Sequence, residues 1–110
     1  MIKVEIDPGI CKFQTTVSVI SEDNKNVEFE IETECELMKK FDSLLKEKTP
    51  LMALQELNPT ESIVMGVARS LLMSKGCCEA CVVPVAVCKA MYVTAGLALP
   101  ADVSLKITKE

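Results

Sequence analysis

The sequence predicts an α+β domain: a mostly antiparallel sheet of about four strands, in the order β-β-β-α-α-α-α-β, with helices packed on one face. Three observations point there. Apolar and polar residues alternate strictly through the first third of the chain, the apolar period changes to about 3.6 from Glu36 onward, and period two returns at Val103. With 110 residues, 49% hydrophobic and 25% charged, the chain suits a single domain over residues 1–110 around one core.

Each element follows from its pattern. Ile2, Val4 and Ile6 alternate with Lys3, Glu5 and Asp7, and Asp7-Pro8-Gly9 supplies turn chemistry, so a first strand ends there. Cys11, Phe13, Thr15, Val17 and Val19 form a second in-phase set, "SEDNKN" turns the chain, and Val27, Phe29, Ile31, Thr33 and Cys35 form a third that alternates with Glu28, Glu30, Glu32 and Glu34. By that parity Cys11 and Cys35 both lie on the apolar face, at neighbouring ends of a hairpin. Leu37, Phe41, Leu44 and Leu45 then mark a helix ending near Lys48, where lysines complement the C-terminal dipole. Thr49-Pro50 and Asn58-Pro59 each place a capping residue before a proline, which predicts a short helix over 50–57 and a longer one over 59–73, the second with Asn58 and Glu61 as a capping box. Ile63, Val67 and Leu71 form the apolar stripe of that longer helix, and Ser74-Lys75-Gly76 stops it. A fourth helix covers 84–95, with Pro84 in its first turn and Gly96 at its end. Val103, Leu105 and Ile107, alternating with Ser104, Lys106 and Thr108, predict a closing strand.

Charge and composition exclude several functions. The net charge is −4 and the lysines are scattered, so the protein's field repels a phosphate backbone and nucleic acid is not an expected partner. Residues 80–103 are apolar, but Pro84, Lys89, Gly96, Pro100 and Asp102 divide them into runs too short for a membrane span. The alternating N-terminus lacks the apolar run of a secretory signal, and a cytoplasmic location is expected. Without histidine no Ser/His/Asp triad can form, and Gly66, Gly76 and Gly96 make no phosphate-cradling run. Met38, Met52, Met65, Met73 and Met91 read as gap-filling core residues, and the four glutamates of the third strand as its solvated side.

The chemistry lies in six cysteines, four of them within "KGCCEACVVPVAVCKA". Cys35 immediately precedes the first helix and Cys81 shortly precedes the fourth, where unpaired N–H groups favour thiolate over thiol. In a reducing compartment such thiols suit metal ligation better than structural disulfides, and an all-sulfur set suits zinc or an iron–sulfur cluster. The candidate ligands are Cys11, Cys35, Cys81 and one of Cys77 and Cys78; Cys88 is assigned to the core. Two other readings of the same residues stand beside this one. The first is a thiol-redox protein with a reversible Cys77–Cys81 or Cys11–Cys35 pair; the second is an interaction protein, such as a homodimer, with inert buried cysteines. No reaction is assigned.

The motifs "DPGICKF-TT", "IETEC" and "C-x-x-C-V-V-P-V-A-V-x-K-A…TAGLALPADVSLKI" resemble a small prokaryotic family of unknown function across nearly the whole chain. More distantly, a cysteine at a helix start followed by a cysteine pair before a later helix is similar to TSCPD-type and NifU-like iron–sulfur scaffold domains. Here "EACVVP" stands where the first would have T-S-C-P-D. That resemblance implies metal or cluster binding through Cys35, Cys77 and Cys81, with a metal- or cluster-delivery partner.

Overall fold

The computed structural model describes residues 1–74 and 81–110. Strands β1 (Ile2–Ile6), β2 (Thr15–Ile20), β3 (Asn26–Thr33) and β4 (Leu51–Met52) form one antiparallel sheet in the order β1-β2-β3-β4. Helix α1 (Glu36–Lys46) lies between β3 and β4, a 3-10 helix (Gln55–Leu57) follows β4, and α2 (Ile63–Ser74) and α3 (Val83–Thr94) complete the fold. The α+β class is as the sequence predicts. The order, with one short strand after α1, is not.

The parity argument holds for the paired part of the sheet. Val4 faces Val17 and Ile31 faces Val17 from the other side, so one row of apolar side chains crosses three strands. Ile6, Val17, Val19, Val27, Phe29 and Ile31 are buried, while Lys3, Glu5, Glu28, Glu30 and Glu32 are exposed. Helix α1 packs on β3, α3 packs on β2 and β1, and α2 packs on both other helices. Phe41, Met38 and Leu45 from α1 and Val83, Val87 and Met91 from α3 close the core.

Four boundaries differ from the sequence reading, each for a local reason. Strand β2 starts at Thr15 instead of Cys11, because Gly9 (φ 84°) and Lys12 (φ 62°) adopt left-handed backbone that no strand contains. The bend is closed by Lys12 N–H to Gly9 O and by Gly9 N–H to Asp7 Oδ1. The helix expected over 50–57 is replaced by an alternating stretch and a single 3-10 turn at Gln55–Leu57: Leu51 and Ala53 are buried, Met52 and Leu54 exposed, and Leu51 and Met52 pair with Val27 and Asn26. Eight residues between prolines cannot offset the cost of a helix nucleus when a sheet edge competes for their backbone. Helix α2 begins at Ile63, four residues later than 59, and buries Val64, Ala68, Leu71 and Leu72, with Ile63 and Val67 only half-buried. Its expected capping box at Asn58 and Glu61 is replaced by Ser62 and Glu56.

The fourth difference is the C-terminal segment. Residues 101–110 form no strand and are exposed throughout. Helix α3 ends as predicted at Gly96 (φ 76°), with Leu97 N–H bonded to Tyr92 O and Gly96 N–H to Val93 O, the paired bonds of a Schellman stop. Among the methionines, Met38 and Met91 fill the core, but Met52 and Met73 are 51% and 74% exposed.

Candidate functional site

The start of α1 is built on a ladder of hydroxyls. Thr15 and Thr33 are register partners at the end of the β2–β3 hairpin, and their Oγ1 atoms lie 2.9 Å apart. Thr15 Oγ1 donates to Phe13 O at 2.9 Å, and Thr33 Oγ1 accepts the Cys35 N–H at 3.1 Å. One chain of bonds therefore fixes the loop carrying Cys11 to the residue that caps α1. Cys35 holds the N-cap position with extended backbone, its carbonyl accepts the Lys39 N–H, and its side chain makes no capping bond. The half-buried Cys35 thiol is left to other contacts.

Cys81 stands two residues before α3 and is half-buried. Its sulfur lies 3.9 Å from the Met38 sulfur. Met38 is one helical turn beyond Cys35, so the first turn of α1 and the segment entering α3 meet there. Cys11 does not join them on the apolar face, as strand parity had implied. It sits exposed in the bend between β1 and β2, because β2 begins four residues later. Cys77 and Cys78 lie outside the described residues. Among the described residues, no three Cys, Asp or Glu side chains converge in a way that could hold a metal ion.

Cys88 is buried, in keeping with its assignment to the core. Burial, and then the charge of Glu56, push its thiol up from 9.0 to about 11, against hydrogen bonds with Tyr92 and Ser62 that act the other way. Burial likewise pushes Tyr92 up to about 12, with Cys88 the next cause. Such a thiol is neutral and a poor nucleophile at ordinary pH.

The residue that sequence reasoning missed is Glu56, only 3% exposed. Its carboxylate accepts the Ile63 N–H at 2.7 Å, the Val64 N–H at 2.9 Å and the Ser62 hydroxyl at 2.7 Å, while Ser62 Oγ accepts the Met65 N–H at 3.1 Å. Together these satisfy the open N–H groups at the start of α2. The Tyr92 hydroxyl donates to Glu56 O at 2.7 Å, which ties α3 to the same point. The available signal was a lone glutamate two residues before Asn58-Pro59 and six before Ser62. An open groove along α2, lined by residues including Met65, Gly66, Arg69 and Met73, contains none of the described cysteines.

These features define a small α+β domain with a cysteine at the start of α1 and another entering α3, the second in contact with Met38 one turn beyond the first. Over residues 2–107 the chain matches the Family of unknown function (DUF6951), and it belongs to that family. No curated protein and no solved structure matches it. No helix among the described residues is long and apolar enough to cross a membrane.

Proposed function

We propose that this is a small cytosolic protein that binds zinc or an iron–sulfur cluster through cysteine thiolates at the common start of α1 and α3. The ligands are Cys35, Cys81 and one of Cys77 and Cys78, with an exogenous fourth ligand. The observation that carries the reading is the 3.9 Å contact of the Cys81 sulfur with Met38, one turn from Cys35. It joins two segments 46 positions apart in sequence, each entering a helix whose first N–H groups favour an anion. The described thiols do not by themselves make a site, and the set is completed by the Cys77/Cys78 pair three to four residues before Cys81. Cys11, exposed in a bend anchored through Phe13 and Thr15, does not lie with Cys35 and Cys81, so the fourth position falls to an exogenous ligand. The likeness of the Cys35, Cys77 and Cys81 arrangement to iron–sulfur scaffold domains runs in the same direction, as does a role for a partner that delivers the metal or cluster.

Metal analysis and absorbance of anaerobically purified protein test this. Stoichiometric zinc, or iron with a visible thiolate–iron band, is expected, and Cys35→Ser and Cys81→Ser should each lose most of it while Cys88→Ala keeps it. Protein with neither metal, whose Cys35 and Cys81 alkylate at the same rate with and without chelator, would refute the reading.

A further inference from the structure

The C-terminal segment and the free edge of the sheet form a matched pair. Residues 101–110 run exposed beyond the Schellman stop, with Val103, Leu105 and Ile107 at 63%, 77% and 93% exposure and Ser104, Lys106 and Thr108 between them. Three apolar side chains at strict period two are what one buried sheet face requires, and an isolated chain gains nothing from that order. At one side of the sheet, β1 is an edge strand, paired only with β2. Its apolar row is incompletely covered: Ile6 is buried, but Ile2 and Val4 are only half-buried, whereas every apolar residue of β2 except Ile20 is buried. An uncapped edge of this kind is a template for another strand.

Charge fixes how the two fit. Aligned parallel, Val103, Leu105 and Ile107 fall beside Ile2, Val4 and Ile6, and on the opposite face Lys106 falls beside Glu5 and Ser104 beside Lys3. Aligned antiparallel with the same three apolar matches, Lys106 faces Lys3, a like-charge pair that costs stability. Shifting the antiparallel register to restore Lys106 to Glu5 keeps two apolar matches and sets Lys109 on the apolar face. Of these three alignments only the parallel one satisfies both faces.

We propose that residues 103–107 add as a parallel strand to the β1 edge of a second copy of this chain, with the second copy's segment returned to the first. The exchange is isologous and closes as a two-fold dimer, in which each sheet gains a fifth strand and neither β1 edge remains open. Because the buried core is made by residues between Ile6 and Met91, each protomer's core is complete before the exchange, and the segment acts as a linking arm.

Sedimentation equilibrium of the full chain under reducing conditions tests the proposal, together with amide hydrogen exchange. A dimer is expected at tens of micromolar, with residues 103–107 protected. The double variant Leu105→Lys, Ile107→Lys should be a monomer whose far-ultraviolet circular dichroism is otherwise unchanged and whose segment is unprotected. Lys106→Glu and Glu5→Lys should each raise the dimer dissociation constant severalfold, and their combination should restore it. A wild-type monomer overturns the proposal, whether the segment is unprotected or is protected by folding back on its own β1. So does a dimer that survives the double lysine variant.

Discussion

Glu56 shows how much one side chain outside any regular strand or α-helix can organise. Its carboxylate meets two helix N–H groups and a hydroxyl in a nearly dry setting, so removing it leaves three donors without a partner. Glu56→Ala should therefore cost about 2–4 kcal/mol of unfolding free energy, since each orphaned buried donor costs on the order of 1–3 kcal/mol and water partly compensates. Ser62→Ala, which removes one acceptor at the start of α2, should cost about 1 kcal/mol. Urea denaturation followed by circular dichroism checks both; near-equal losses would contradict the assigned roles. Nothing in the pattern of "ALQELNPTES" separates this glutamate from a solvated one. Asn58 and Glu61 looked like the cap because capping motifs are local, whereas Glu56 reaches α2 through a turn whose shape only the tertiary fold sets. Asn58 Oδ1 instead accepts from Thr60 N–H and Oγ1 within its own turn. Cys88 was readable as core because its neighbours on the helix are apolar at the right spacing. Cys11 was misplaced by alternation that continues through a bend.

At the scale of elements, β3 poses an edge problem of its own. Strand β4 pairs only with Asn26 and Val27, and beyond them α1 takes over: Asp42 Oδ1 accepts the Ile31 N–H at 3.1 Å, while its Oδ2 pairs with Lys46 at 2.9 Å. Asp42→Ala leaves a part-buried backbone donor unpaired and should destabilise the protein by about 1–2 kcal/mol. Asp42→Asn, which keeps an acceptor, should cost less than about 1 kcal/mol, and Lys46→Ala under about 0.5 kcal/mol because that ion pair is half in water. Loss of Ile31 amide protection in Asp42→Ala alone is the accompanying exchange signature; equal protection in all three proteins would count against the bond. Strands β1 and β3 and helices α1 and α3 were legible because each is long enough for its period to repeat and ends at its own turn or cap. Residues 50–57 were not, since a two-residue strand has no period to read. Residues 103–107 do carry a period, but a strand needs a neighbour, and sequence alone does not say whether the same chain supplies it. The approach of Cys81 to Met38, one turn beyond Cys35, was likewise legible only as two helix starts; it depends on how α1 and α3 each pack on the sheet and on α2.

For the molecule as a whole, the point where the 3-10 helix, α2 and α3 join sets its behaviour in alkali. Cys88 projects from α3 into the region of Ser62 and Glu56, and its thiol is held up at about 11. Below pH 9 the thiol is protonated in both folded and unfolded chains, so its full contribution to stability is present there. Between pH 9 and about 11 the unfolded chain releases the proton and the folded one does not, and unfolding becomes easier. A displacement of this size corresponds to about 2 kcal/mol lost across that window, at 1.36 kcal/mol per unit of pKa and allowing for residual hydration. Tyr92, raised to about 12, acts in the same direction from pH 10 upward. Urea denaturation of the reduced protein from pH 7.5 to 11.5 should show this fall on top of the titration of the exposed groups. Cys88→Ala, though less stable at neutral pH because of the volume removed, should show a shallower fall above pH 9, and Tyr92→Phe a shallower fall above pH 10. Parallel pH curves for the wild type and Cys88→Ala would mean that the thiol does not resist ionisation in the folded protein, and that Glu56 and burial do not act on it as the structure indicates.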